Sequence, residues 1–150
     1  MSDDELRPIV VGVDGSAAAK AALRWAVDQA RVLECPVDVV SAWHVDYAVM
    51  MGPMPVASVP DPAGVEAAQR AVLDEATAGV DVRRVLAEGD AGDLLVKMSR
   101  DARMLVVGNR GRNPLAELLL GSVSSYCVHH ATCPVVVVRA AEQTTPATTP

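Results

Sequence analysis

With 150 residues, 51% of them hydrophobic, the chain is long enough to bury one core and too apolar to be disordered. A formal charge of −6 argues against general nucleic-acid binding, which needs a basic patch or stripe, but leaves room for a nucleotide held by a few local donors. Without Phe, and with two Trp and two Tyr as the only aromatics, the core has to be built from Val, Leu, Ala and Met.

The start, Met1-Ser-Asp-Asp-Glu, lacks the basic and apolar regions of a signal peptide, and no apolar stretch approaches the length of a membrane span. Three cysteines in no framework spacing fit free thiols in a reducing compartment. A cytoplasmic protein is the expectation.

In chain order, the apolar run from Ile9 to Val13, entered at Pro8 and left at Asp14-Gly15-Ser16, predicts a buried strand. Ser16 is placed to cap a helix over Ala17 to Leu33. Pro36 closes the connection, and Val37 to Trp43 reads as the second strand. From His44 to Pro62 the pattern breaks, with Met50, Met51 and Met54 among prolines. A loop of that length is a candidate lid, and its methionines are candidates for adaptable packing. A helix over Ala63 to Ala78, ended by Gly79, a strand over Val82 to Ala87, and a short helix capped by Asp90 and running to about Arg100 follow. The last elements are a strand over Arg103 to Val107, a helix over Ser122 to Ala131 and a strand over Pro134 to Val138. Residues 1–142 are expected to form one domain, with a disordered tail at 143–150.

Alternating strands and helices predict an open five-stranded parallel sheet with helices on both faces, a Rossmann-like α/β fold. Ligands of such sheets bind beyond the carboxyl ends of the strands, where the strand order reverses. Two strand ends carry suitable loops: Val13-Asp-Gly-Ser16, and Gly108-Asn-Arg-Gly111 followed nine residues later by Gly121-Ser-Val-Ser124, a G-x2-G-x9-G-S spacing. Glycines admit close approach of a ligand, and free N–H groups at a helix start attract phosphate. If the first and fourth strands are neighbours, both loops face one crevice, where Asp14 could reach a ribose hydroxyl or a magnesium ion. Asp14 also reads as a turn residue, Ser16 and Ser122 as plain helix caps, Gly15 as a turn glycine, and Gly12 as a site of close packing or close ligand approach. Arg110 either neutralises phosphate or is solvated. Cys127, His129, His130 and Cys133 read as buried thiols and a solvated histidine pair rather than as a zinc set.

These segments, with the closing Cys133-Pro-Val-Val-Val-Val138, resemble the ATP-binding type of universal stress protein over residues 7 to 139. The resemblance implies a sheet of order 3-2-1-4-5, as in adenine nucleotide alpha hydrolase-like folds. It implies ATP with magnesium as ligand. Gly108, Gly111, Gly121 and Ser122 would form the phosphate- and ribose-binding loop, Val123 and Ser124 the helix start against the phosphates, and Asp14, with Gly15 and Ser16, the acidic turn near ribose and metal. Adenine would lie near Ser41 and Ala42, read by backbone groups. It also implies a homodimer through Val135 to Val138 and a regulatory protein partner. Asn109 departs from the Ser or Thr common at its position. No catalytic residue is assigned: neither a general base nor a Walker Gly-Lys-Ser/Thr element is recognisable, so any ATP hydrolysis is expected to be slow. The competing readings are a dimeric interaction module of the same family that binds no nucleotide, and a nucleotide-transfer enzyme. The latter lacks its usual Ser-Gly-Gly-x-Asp-Ser loop at Val13-Asp-Gly-Ser-Ala17.

Overall fold

The computed structural model describes residues 7–45, 61–111 and 120–140. The strands are β1 (Ile9–Gly12), β2 (Val37–Trp43), β3 (Arg83–Glu88), β4 (Met104–Gly108) and β5 (Val135–Val138). The helices are α1 (Ala17–Leu33), α2 (Pro62–Ala76), α3 (Ala91–Ser99) and α4 (Ser122–His130). All strand pairs are parallel and the sheet order is β3-β2-β1-β4-β5, the order the resemblance implies.

The central strands β1, β2 and β4 are valine-rich and buried on both faces, as the middle of a parallel sheet requires, while the outer strands β3 and β5 are only partly buried. Alternate residues of β1 divide between two cores. Ile9 and Val11 pack with α1, Val37, Val39 and Leu73 of α2 on one face. Val10 packs with Val40, Leu105, Leu95 of α3 and Cys127 of α4 on the other. The first two helices therefore cover one side and the last two cover the other. Chain direction across the sheet reverses between β1 and β4, which places a switch point there.

Local chemistry accounts for the boundaries. Ser16 caps α1, its hydroxyl accepting from the Ala19 N–H at 3.2 Å. α2 begins one residue earlier than the sequence reading, because Asp61 caps it and Pro62 fills the first helical position, where a missing N–H costs nothing. It stops at Ala76, and the buried Thr77 hydroxyl donates to the Leu73 carbonyl at 2.7 Å. Asp90 caps α3 as expected, accepting from the Asp93 N–H at 3.0 Å. β1 ends at Gly12 rather than Val13, and α4 ends at His130 because Ala131 is extended. Most of the expected loop, residues 46–60 with its three methionines, and the tail lie outside the described residues.

Candidate functional site

At the switch point the ends of β1 and β4 open into a crevice of about 270 Å³. Its apolar wall comes from Val13, Val40, Ala42, Leu95 and Val107. Its polar rim carries Asp14, Arg110, Ser122 and Ser124, with Gly108, Gly111 and Gly121 between them. A larger, shallower depression of about 1090 Å³ lies between the ends of α1 and α2, at the amino ends of β2 and β3. It lies away from the switch point and gathers charges of both signs, including Arg24, Asp28 and Glu34, so it is not the place where this fold assembles a ligand site.

The β1 side of the crevice is a compact turn. Asp14 Oδ1 accepts the Ser16 N–H at 2.9 Å, and Gly15 takes φ 86°, a left-handed conformation that a side chain resists. Gly15 and Ser16 shape this turn and do not line the crevice themselves. The turn leaves Asp14 Oδ2 directed at Gly111, where an added Cβ would meet it at 2.9 Å.

The β4 side is clipped shut at its base. The Gly121 N–H donates to the Asn109 carbonyl at 2.7 Å, and the buried Ser124 hydroxyl lies within reach of the carbonyls of Asn109 (3.3 Å) and Gly121 (3.1 Å). Ser124 lines the crevice, but its hydroxyl is committed to the loop. Asn109, the departure from the family pattern, is 6% exposed and outside the lining, and its N–H donates to the Val138 carbonyl at 2.9 Å. Ser122 is the first residue of α4 rather than its cap. Gly121 holds the cap position and provides no side-chain bond, so the N–H groups of the first helical turn have no side-chain cap, and Ser122, Val123 and Ser124 of that turn line the crevice. Arg110 lines the same space, and its Nε is buried with no hydrogen-bond partner among the described residues.

The three motif glycines do different work. A Cβ at Gly108 would sit 2.7–2.9 Å from Ala18 and Ala19 backbone and side-chain atoms, so Gly108 admits the first turn of α1. Gly111 admits the Asp14 carboxylate. Gly121 has an ordinary φ of −71°, and a Cβ there would meet nothing nearer than 3.5 Å. No contact within the fold requires a glycine there, and Gly121 itself lines the crevice. Gly12 is a packing position, with Leu95 Cδ1 at 2.8 Å from an added Cβ.

The expected site residues on β2 separate by face. Ala42 lines the crevice and Ser41 does not: its hydroxyl donates to the Val13 carbonyl at 3.0 Å and accepts from Gln69 Nε2 at 2.6 Å. Sequence reasoning passed over Gln69, and also over Val40, Leu95 and Val107 as crevice walls. Outside the crevice, Cys127 is fully buried and its thiol is pushed up to about 11, mainly by burial. His129 and His130 are exposed, and the His130 ring lies tilted by 41° against that of Tyr126, with centroids 4.4 Å apart. Among the described residues no three His, Cys, Asp or Glu groups converge as a metal set.

The family model for universal stress proteins matches residues 5–139. A universal stress protein of Mycolicibacterium smegmatis is 36% identical in an alignment 147 positions long that covers 90% of this chain and 49% of the relative. The chain spans about half the length of the curated relatives it matches. Among solved structures, a universal stress protein in complex with cAMP is 26% identical at a TM-score of 0.65, over 89% of this chain and 97% of its own. The universal stress protein of Archaeoglobus fulgidus in complex with dAMP is 25% identical at 0.63, over 88% and 97%.

Proposed function

The chain belongs to the universal stress protein family, and on that premise we propose that the crevice binds ATP with magnesium and that occupancy regulates the protein's contacts. The observation that carries this reading is the uncapped start of α4, facing Asp14 across the crevice at the sheet's switch point. The open N–H groups of Ser122, Val123 and Ser124 suit phosphate oxygens, and the helix dipole adds to them. Arg110, whose buried Nε has no hydrogen-bond partner among the described residues, suits the same charge. The space beside Gly121 admits the ribose-phosphate chain, and the wall of Val13, Val40, Ala42 and Leu95 suits a flat base. The two solved relatives bound to adenine nucleotides support the class of ligand. Magnesium fits as well: it takes one or two carboxylates and otherwise waters and phosphate oxygens, and Asp14 supplies one carboxylate. Bound there, it would neutralise charge between phosphates.

No histidine, and no carboxylate other than Asp14, lines the crevice among the described residues. On this reading the chain holds nucleotide with at most slow hydrolysis, as a sensor or carrier in the cytoplasm. Residues 1–142 act as one nucleotide-binding unit. Among the described residues β5 is an edge strand whose four valines are all half-buried, and an edge of this kind calls for cover. A second copy pairing along Val135–Val138 supplies it, with a further regulatory protein reading the nucleotide state.

The test is an ultraviolet spectrum and mass analysis of what co-purifies, followed by calorimetric titration with ATP and magnesium. Bound adenine nucleotide and saturable binding are expected, and Gly121→Val with Ser122→Ala abolishes both. Protein free of nucleotide, with no thermal shift from ATP, AMP or cAMP, overturns the reading in favour of a module working through protein contacts alone.

A further inference from the structure

The ladder between β1 and β2 runs in register from Ile9↔Val37 to Gly12↔Val40. Its outer rungs are the Ile9 N–H to the Pro36 carbonyl and the Val13 N–H to the Val40 carbonyl, both 2.9 Å. In a parallel pair the rungs alternate evenly, so this register makes the next one a bond from the Ala42 N–H to the Val13 carbonyl. That rung is not formed. The Val13 carbonyl takes the Ser41 hydroxyl at 3.0 Å, and Gln69 Nε2 on α2 donates to the same hydroxyl at 2.6 Å. Ser41 is 1% exposed and lies on the face opposite the crevice, in a strand whose same-face neighbours are Val37 and Val39. A serine there is tolerated only because the relay satisfies it.

Resting on the reading of the crevice as an adenine-nucleotide site, we propose that Ser41 and Gln69 are positioning residues of its base subsite. The Ser41 hydroxyl occupies the end of the β1–β2 ladder, and Gln69 holds that hydroxyl in place. The Ala42 N–H and carbonyl, which point the same way as those of Val40, stay out of the ladder and face the crevice. One donor beside one acceptor matches the edge of a 6-aminopurine, whose ring nitrogen accepts and whose amino group donates. A 6-oxopurine presents the reverse pattern and is rejected. The relay lies behind the strand, so it sets base selection without touching the base.

The experiment compares wild type, Ser41→Ala and Gln69→Met by amide hydrogen exchange without ligand and by titration with ATP, GTP and inorganic tripolyphosphate. Without the hydroxyl, the Ala42 N–H closes onto the Val13 carbonyl. Its exchange slows, ATP binds about 5- to 10-fold more weakly as one hydrogen bond's worth of recognition is lost, and tripolyphosphate changes less than about 2-fold. Preference for ATP over GTP shrinks with it. Gln69→Met moves each readout in the same direction and serves if Ser41→Ala fails to fold. Unchanged exchange at Ala42 overturns the proposal, and so does equal weakening of ATP and tripolyphosphate. Wild-type protein that binds neither ATP nor GTP overturns the nucleotide reading instead, while exchange at Ala42 still decides whether the relay holds the rung open.

Discussion

Replacing Gly108 and Gly121 by alanine, one at a time, should separate folding from binding within a single motif. At Gly108 the new methyl would lie 2.7 Å from the Ala18 carbonyl carbon, 2.8 Å from its Cβ and 2.9 Å from the Ala19 N. Carbon atoms rest at about 3.5–4.0 Å, so α1 and β4 would have to part by roughly 0.8 Å or more. None of the three atoms can swing aside, because two are helix backbone and the third is a Cβ fixed to it. Both segments are buried, with Ala18 at 5% and Ala19 at 4% exposure. Overpacking of this kind costs about 1–3 kcal/mol, and the rigidity of the neighbours puts Gly108→Ala at the upper end, near 2–3 kcal/mol. In a domain of this size that lowers Tm by about 4–12 °C. At Gly121 the nearest atom is 3.5 Å away and φ is −71°, so Gly121→Ala should leave stability within about 0.5 kcal/mol. Its methyl enters the crevice and weakens nucleotide binding. Urea denaturation and calorimetric titration of both variants decide the matter. Equal losses of stability, or a neutral Gly108→Ala, would refute this division of roles.

Other perturbations address separate parts of the molecule. Asp14→Asn keeps an oxygen for the Ser16 N–H but removes the charge, so ATP binding should lose its dependence on magnesium while Tm holds within a few degrees; titration with and without magnesium checks this. Arg83 donates to both oxygens of Asp38 at 2.5 and 2.7 Å, and Asp38 is 6% exposed. Arg83→Ala strands that carboxylate and should cost about 1–2 kcal/mol, discounted because Arg83 is largely in solvent, and Asp38→Ala in the same chain should recover part of the loss in a urea melt. The Cys127 thiol, raised from 9.0 to about 11 by burial, stays protonated in the folded chain while the unfolded chain ionises near 9. Its contribution is complete below pH 9 and fades as pH rises toward 11, at up to about 1.4 kcal/mol per pH unit. A Cys127→Ala variant should show a flatter fall of urea midpoint across that interval.

Much of the fold was legible because periodicity and punctuation agreed. Ser16, Asp90, Pro36 and the valine runs placed α1, β2 and α3 within a residue or so. The boundaries that moved did so for local reasons: Pro62 initiates α2 rather than blocking it, and Gly121 rather than Ser122 caps α4. The rim of the crevice was legible because its glycines and Asp14 are spaced along loops. Its walls were not, since Val40, Val107 and Leu95 are ordinary core residues until the fold turns them toward an opening. Nor could the sequence distinguish the three glycines of the motif, because the reason for each lies in what approaches it from elsewhere in the chain. Gln69 carried no signal, as a glutamine on an amphipathic helix usually faces water.

The reversal of strand order has a further consequence for how the chain is joined. Everything from β1 to β3 comes from residues 9–88 and everything from α3 to β5 from residues 91–138, so the sheet is two consecutive halves meeting along one seam. That seam, Ile9–Val11 against Met104–Val106, is the shortest ladder in the sheet. Asp14 and Ala42 belong to one half, Arg110, Gly121 and Ser122 to the other. A molecule lodged among them would act as a bolt across the joint, and the two halves would feel its arrival as a change in how tightly they are clasped.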